Sequence, residues 1–128
     1  MFETSLLLIT GSALAAFFAS FAWYIIFAKQ RANVSGVDAT RPGPIKIAGE
    51  FVKNIVLAIV VSYFVSSLGI DTWLKMLHLV LILWIGFPAL ILISSVMYEK
   101  VPLKLAAIHA GDWLLKLLLM ISILGFWN

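Results

Sequence analysis

Long runs without a charged side chain restrict the fold of this sequence more than any other feature. The first run extends from Thr4 to Ala28. As an α-helix it would be roughly 37 Å long, whereas the hydrocarbon core of a bilayer is about 30 Å thick. The sequence therefore predicts a transmembrane helix over residues 4–28.

Three further apolar runs predict helices of the same kind. Residues 54–70 are uncharged but short, and they reach a full span by including residues 47–53, because the ammonium group of a lysine near a helix end can extend to the interface. We predict helices at about 48–70, 74–98 and 103–127, with a connecting loop at 29–47. Pro88 should distort the third helix, since proline removes a backbone hydrogen bond and crowds the preceding turn.

The composition agrees with this pattern. Hydrophobic residues make up 63% of the chain and charged residues 12%, whereas soluble domains are about one quarter charged. The mean hydropathy is +1.10. The expected fold class is all-α, a four-transmembrane-helix bundle in a single domain of 128 residues. Because the sequence contains no cysteine, disulfides, thiolate metal sites and thiol nucleophiles are excluded.

The basic residues predict the orientation of the bundle. The connection between the second and third predicted helices and its flanks carry only Lys75, whereas the other two connections and their flanks carry Lys29, Arg31, Arg41, Lys46, Lys53, Lys100 and Lys104. By the positive-inside rule, both basic loops are cytoplasmic and both termini are outside, in a multi-pass protein of the cytoplasmic (inner) membrane. The net charge of +3 then reflects topology and contact with membrane lipids, and we expect no nucleic-acid partner.

Small residues predict where helices approach one another closely. Gly11, Ala15 and Ala19 form one ladder at four-residue spacing, and Ser12, Ala16 and Ser20 form the next. Such ladders let helix backbones approach closely. This close packing stabilises helix contacts in a bilayer, where the hydrophobic effect does not drive helices together. Gly86, Pro88 and Gly111 are further candidate packing positions. The pattern leaves open whether these contacts lie within one subunit or between two.

A polar stripe on the fourth helix is the main candidate site. His109, Asp112 and Lys116 stand at i, i+3 and i+7, within roughly a 60° arc of the helix. A charge at mid-bilayer costs on the order of 3 kcal/mol, so this stripe should face protein, water or another subunit. Two interpretations stay open. One is a structural ion pair, and the other is a proton or ion relay.

A second polar group is predicted at the cytoplasmic boundary. Glu50 and Asn54 begin the second helix, and Tyr98 and Glu99 end the third. With the polar stripe they would line a vestibule open to the cytoplasm. The alternative is that these are ordinary solvated helix ends, since charged residues commonly flank membrane spans.

Aromatic residues cluster at the ends of the predicted helices. Trp23 and Tyr24 close the first helix, Trp73 lies in the outer turn and Trp127 ends the fourth. Tryptophan and tyrosine are enriched at membrane interfaces. We therefore expect these side chains to anchor the helices in the interface.

Two stretches of the sequence carry a resemblance to a known family, namely AWY at the end of helix one and the run LWIGFPALILISSVMYEKVPLKLAAIHAGDWLLKLLLMISILGFW. In these residues, and along nearly its whole length, the chain resembles the domain of unknown function 1761 family of small four-helix membrane proteins. The corresponding positions are Trp23, Tyr24, Trp84, Gly86, Phe87, Glu99, Pro102, His109, Ala110, Gly111, Gly125 and Trp127. The resemblance implies a fold and a topology, but no activity.

The sequence departs from the family pattern at the polar stripe. The family leads us to expect asparagine where His109 stands, an aromatic residue at Asp112 and a small or apolar residue at Lys116. The charged pair is thus expected to be specific to this protein or its close relatives.

Three classes of function follow from these features. The first is a noncatalytic membrane protein that assembles with itself or as an accessory subunit through polar and small-residue helix faces. The second is a small ion, proton or lipophilic-solute transporter that uses His109, Asp112 and Lys116. An enzyme ranks last, because no catalytic, metal-binding or phosphate-binding motif is visible. We expect no cofactor and no metal.

The predicted topology is testable with reporter fusions at Asn128. A reporter that is active outside the cytoplasm is expected there, and one that is active inside is expected in the 29–47 loop. A cytoplasmic signal at Asn128 would contradict the orientation derived from the basic residues.

Overall fold

The computed structural model describes residues 2–29 and 43–127, and its regular structure is helical throughout. Helix α1 is Phe2–Ile26, α2 is Pro44–Leu68, α3 is Trp73–Tyr98 and α4 is Leu103–Trp127. All four are long and apolar enough to cross a membrane. The predicted all-α fold is confirmed, with four helices that are suited to crossing a membrane, as in a multi-pass membrane protein.

Local sequence explains where the second and third helices begin and end. Helix α2 begins at Pro44, four residues before the predicted start near residue 48, because proline is well suited to the first helical position. It ends at Gly69, whose φ of 62° is left-handed and favours glycine. Thr72 then caps α3 by accepting a hydrogen bond from the Lys75 N–H at 3.3 Å. Most of the predicted 29–47 loop lies outside the described residues.

Helix α3 contains a wide turn at its proline. An α-helical part, Trp73–Trp84, is followed by a π-helical turn, Ile85–Ala89, and a second α-helical part, Leu90–Tyr98. Pro88 lies inside the π turn and is buried. Because proline supplies no N–H and its ring crowds the preceding turn, a local widening lets the helix continue past it. The predicted distortion at Pro88 thus takes the form of a π turn.

Helix α4 is the central element of the fold. It packs against each of the other three helices, and α1 also packs against α2. Within the described residues, α3 packs on α4 but on neither α1 nor α2. The helices therefore form a triangle of α1, α2 and α4, with α3 attached to the remaining side of α4, rather than a closed ring of four.

The apolar core fills the half of the protein that contains the end of α4. On α4, the least exposed apolar residues of this core are Met120, Ile121 and Leu124. They pack among residues of the other helices, namely Ala13, Ala16, Ala58, Val61, Val65, Met76, Leu79 and Val80. Side-chain packing of this kind stabilises helix contacts in lipid, where the hydrophobic effect contributes little to the free energy of association.

One of the two predicted small-residue ladders faces this core. Ser12, Ala16 and Ser20 are buried on α1. Gly11 is exposed with open space around it, and Ala15 and Ala19 are partly buried. Among the other candidate packing positions, Pro88 is buried and Gly86 is exposed. The close contact of α1 within this chain therefore uses the serine-containing ladder.

Gly111 allows a close contact between α1 and α4. A Cβ atom built on Gly111 would overlap the six-membered ring of Trp23. Without that atom, the indole lies against the backbone of α4 and its Nε1–H donates to the carbonyl of Ile108 at 2.9 Å. Glycine is thus required here by the position of a rigid aromatic ring.

Replacing Gly111 with alanine should destabilise the fold by about 1–3 kcal/mol, because the ring has little freedom to move away. Gly125→Ala is a matched comparison. Its Cβ would lie 2.8 Å from the terminal methyl of Met76, which is flexible and can shift. Gly49→Ala meets nothing within 4 Å and should be neutral or slightly stabilising. Denaturation in detergent measures all three, and equal stability of the Gly111 and Gly49 variants would contradict this packing.

Candidate functional site

Asp112 is the centre of a polar layer between α1 and α4. The hydroxyl of Ser20 donates to its Oδ1 at 2.5 Å, and the Nζ atom of Lys116 lies 3.2 Å from its Oδ2. Asp112 is 2% exposed and Lys116 7%. Both carboxylate oxygens are therefore paired with protein groups, away from lipid.

The helix itself brings Asp112 and Lys116 together. Side chains on an α-helix lean toward its N-terminus, so Lys116 leans toward the carboxylate one turn earlier, and acid before base at i,i+4 is the favourable order. The ammonium group also lies 4.9 Å from the ring centroid of Trp113, a distance typical of a cation–π contact. The lysine thus has an anionic and an aromatic partner on its own helix.

His109 belongs to the same layer, one turn nearer the start of α4. Its Nδ1 atom and the Tyr24 hydroxyl are 2.7 Å apart, in a hydrogen bond whose direction depends on the histidine tautomer. The two rings are tilted, with centroids 5.6 Å apart. Both side chains are partly buried. The stripe predicted on α4 therefore contacts α1 at His109 and Asp112.

Two tryptophans bind the α4 backbone beside this stripe. Trp23 of α1 donates to the Ile108 carbonyl at 2.9 Å, and Trp84 of α3 donates to the Ala110 carbonyl at 2.8 Å. Trp23 and Tyr24 are thus interhelical hydrogen-bonding residues, a role that their prediction as interface anchors did not include. Together the two indoles attach neighbouring helices to one short segment of α4.

Sequence reasoning did not assign Ser20 or Trp84 to the site. Ser20, Trp23 and Tyr24 stand at i, i+3 and i+4, so they share one face of α1. On α4, Ser20 pairs with the Asp112 carboxylate, Tyr24 with the His109 ring and Trp23 with the Ile108 carbonyl. The similar spacing of Ser20 and Tyr24 on α1 and of Asp112 and His109 on α4 is a signal that could have been noticed, whereas no side-chain pattern points to the carbonyl partners of Trp23 and Trp84.

The residues of the predicted vestibule are not brought together. Glu50 is exposed and pairs with Lys53 at 3.0 Å, while Asn54 is buried and donates to the Glu50 carbonyl of its own helix. Tyr98 and Glu99 are exposed at the end of α3. The helices that carry the two pairs, α2 and α3, are not packed together in the described part of the chain.

The chemistry available in this layer is charge pairing and proton exchange. Among the described residues, no group of three or more His, Cys, Asp or Glu side chains could hold a metal ion. Asp112 and Lys116 neutralise each other, and His109 shares a hydrogen bond with a phenol. The arrangement can hold helices together, and its histidine and tyrosine could exchange a proton.

Replacing one member of the buried Asp112–Lys116 pair should lower the free energy of unfolding more than replacing both. Asp112→Leu or Lys116→Leu leaves one uncompensated charge and should lower the free energy of unfolding by about 3–5 kcal/mol, whereas the double variant should be closer to the parent protein. Denaturation in detergent or nanodiscs measures the cycle.

The exposed pair between Glu50 and Lys53 is the matched control. Its single and double leucine variants should differ from one another by no more than about 1 kcal/mol. A double variant at Asp112 and Lys116 that is less stable than both of its singles would contradict the predicted coupling.

The polar layer lies within a region that matches a known family. The family described as "Protein of unknown function (DUF1761)" matches residues 7–125, which includes every helix contact of the site. Comparisons with curated proteins and with solved structures give no match. The resemblance found in the sequence is confirmed, and this chain belongs to the DUF1761 family of proteins of unknown function.

Proposed function

We propose that this protein is a noncatalytic membrane protein whose polar layer joins its own helices and which assembles with itself or with a larger membrane complex. The observation that supports the first part is the pairing of both Asp112 oxygens, one with Ser20 and one with Lys116. A carboxylate that is buried and doubly paired is well suited to a structural role. The charged stripe therefore serves contacts inside the chain.

Assembly would then use an apolar surface, and α3 is the best candidate. In the described residues α3 packs on α4 only, so most of its circumference faces outward. Its exposed surface includes Gly86, around which nothing lies within 4 Å. Small residues on such a surface allow close approach of a second helix. We propose that a second copy of the chain packs here.

The proposed location is the cytoplasmic membrane, with the basic end of the protein inside. In the described residues this end, where α1 and α3 end and α2 and α4 begin, carries Lys29, Lys46, Lys53, Lys100 and Lys104. The opposite end carries Lys75, which pairs with Asp71 at 3.1 Å. This asymmetry supports the orientation given by the positive-inside rule.

Mass measurement in native membrane patches tests the assembly. Extraction into polymer-bounded nanodiscs, followed by native mass spectrometry, should give a multiple of the 14.2 kDa chain or a defined complex. A 14.2 kDa monomer with no co-purifying protein would contradict the proposal.

A pair of glycine variants tests whether α3 is the contact surface. Gly86→Leu should reduce the assembled fraction, because the larger side chain keeps the neighbouring helix away. Gly49→Leu is the control, since Gly49 also has open space around it but lies on α2. Equal effects of the two substitutions would exclude α3 as the specific interface.

A proton or ion relay is the second candidate, and the hydrogen bond between Tyr24 and His109 favours it. These partly buried groups lie one turn from the buried Asp112, so titratable side chains form a row along α4. The relay requires pH-dependent flux in reconstituted liposomes that is lost in His109→Ala. The structural proposal instead expects flux no greater than that of empty vesicles between about pH 5 and 8, the range over which histidine titrates.

A further inference from the structure

A groove lies between α1 and α4 at the basic end of the protein. It measures about 420 Å³ and is lined by Trp23, Phe27, Lys104, Ala107 and Ile108. The aromatic rings of Trp23 and Phe27 are in contact, with centroids 4.7 Å apart. Since the indole N–H is bound to the Ile108 carbonyl, the ring presents apolar surface. The groove therefore has apolar walls and one charged lining residue, Lys104.

Lys104 gives the groove an unpaired positive charge. In the described part of the chain it forms no ion pair, and neither do Lys29 and Lys100 at the same end of the protein. No acidic residue lines the groove, although Glu99 is exposed in the nearby turn. The lysines therefore leave an excess of positive charge that suits an anion.

The start of α4 adds to this preference for an anion. Lys104 is the second residue of the helix, and the first turn contains no acidic residue. The N-terminus of a helix carries partial positive charge and N–H groups without intrahelical partners. A lysine is unfavourable there for helix stability, whereas both features attract a phosphate group. Lys104 and the start of α4 therefore add their positive charge in the same place.

We propose that this groove binds one anionic phospholipid. An acyl chain would lie against Trp23, Phe27, Ala107 and Ile108, and the phosphate group would bind at Lys104. Charge complementarity selects the headgroup, and the apolar walls select the chain. Inorganic phosphate has no acyl chain to pack against those walls, so they would not strengthen its binding. A zwitterionic lipid would bind more weakly than an anionic one, because its headgroup has no net charge to pair with the lysine. This proposal does not depend on whether the protein assembles.

Native mass spectrometry of the detergent-purified full chain tests the site. Titration with phosphatidylglycerol and with phosphatidylcholine of the same acyl chains should show one tightly bound phosphatidylglycerol per chain, with at least fivefold weaker binding of phosphatidylcholine. Equal binding of the two lipids would overturn the proposal. Displacement of the bound lipid by millimolar inorganic phosphate would also overturn it, because the site would then recognise the anion without the chain.

Two charge variants separate this site from general attraction to the basic surface. Lys104→Gln should weaken phosphatidylglycerol binding about fivefold. Lys46→Gln removes the same charge from an exposed position at the same end of the protein but outside the groove, and should weaken binding less than twofold. Equal losses in the two variants would overturn the specific site.

A steric variant tests the groove without changing charge. Ala107 is exposed within the lining, so Ala107→Phe should fill the channel and remove the tightly bound lipid while the protein remains folded. Val56→Phe, at an exposed position on α2, is the control and should bind as the parent does. Undiminished binding by Ala107→Phe would overturn the placement of the acyl chain.

Discussion

The burial of one ion pair governs the arrangement of the helices. Asp112 and Lys116 lie far from the ends of α4, where an unpaired charge facing lipid would be costly. Their mutual contact neutralises the charge, and Ser20 completes the carboxylate's hydrogen bonds. This fixes the side of α4 that must face α1. Once that side is fixed, α2 and α3 pack on the remaining surface of α4, and the central position of that helix follows.

The backbone of α4 beside the pair is held as closely as its side chains. Gly111 allows the Trp23 ring to lie against the helix, and the indoles of Trp23 and Trp84 donate to the carbonyls of Ile108 and Ala110, which shortly precede it. Trp23, Tyr24, Trp84, Ala110 and Gly111 are all positions on which the family resemblance depends. They meet in one small region, so a set of diffuse sequence motifs corresponds to a single junction of three helices.

The protein is divided along the membrane normal into two kinds of packing. Apolar side chains such as Met120 and Ile121 fill one half with close contacts, while the other half is held by hydrogen bonds and charge. The polar half ends at the lysine-rich surface, where the groove beside Lys104 opens. The apolar half can face lipid on all of its outer surfaces. In the polar half, each charged or polar side chain needs a hydrogen-bonding or ionic partner, because an unpaired charge facing lipid is costly. The polar layer and the groove beside Lys104 both belong to this polar half.

The sequence by itself determined the four apolar spans and the shared face of His109, Asp112 and Lys116, because hydropathy and helical periodicity are local properties. It also indicated that this face must turn away from lipid. Only the tertiary structure decided which groups meet it. Ser20 pairs with Asp112 and Trp84 donates to the Ala110 carbonyl, whereas the helices that carry Glu50 and precede Glu99 are not packed together. These contacts depend on the order in which the helices pack around α4. That order is set by contacts between residues distant in the chain, which local patterns do not encode.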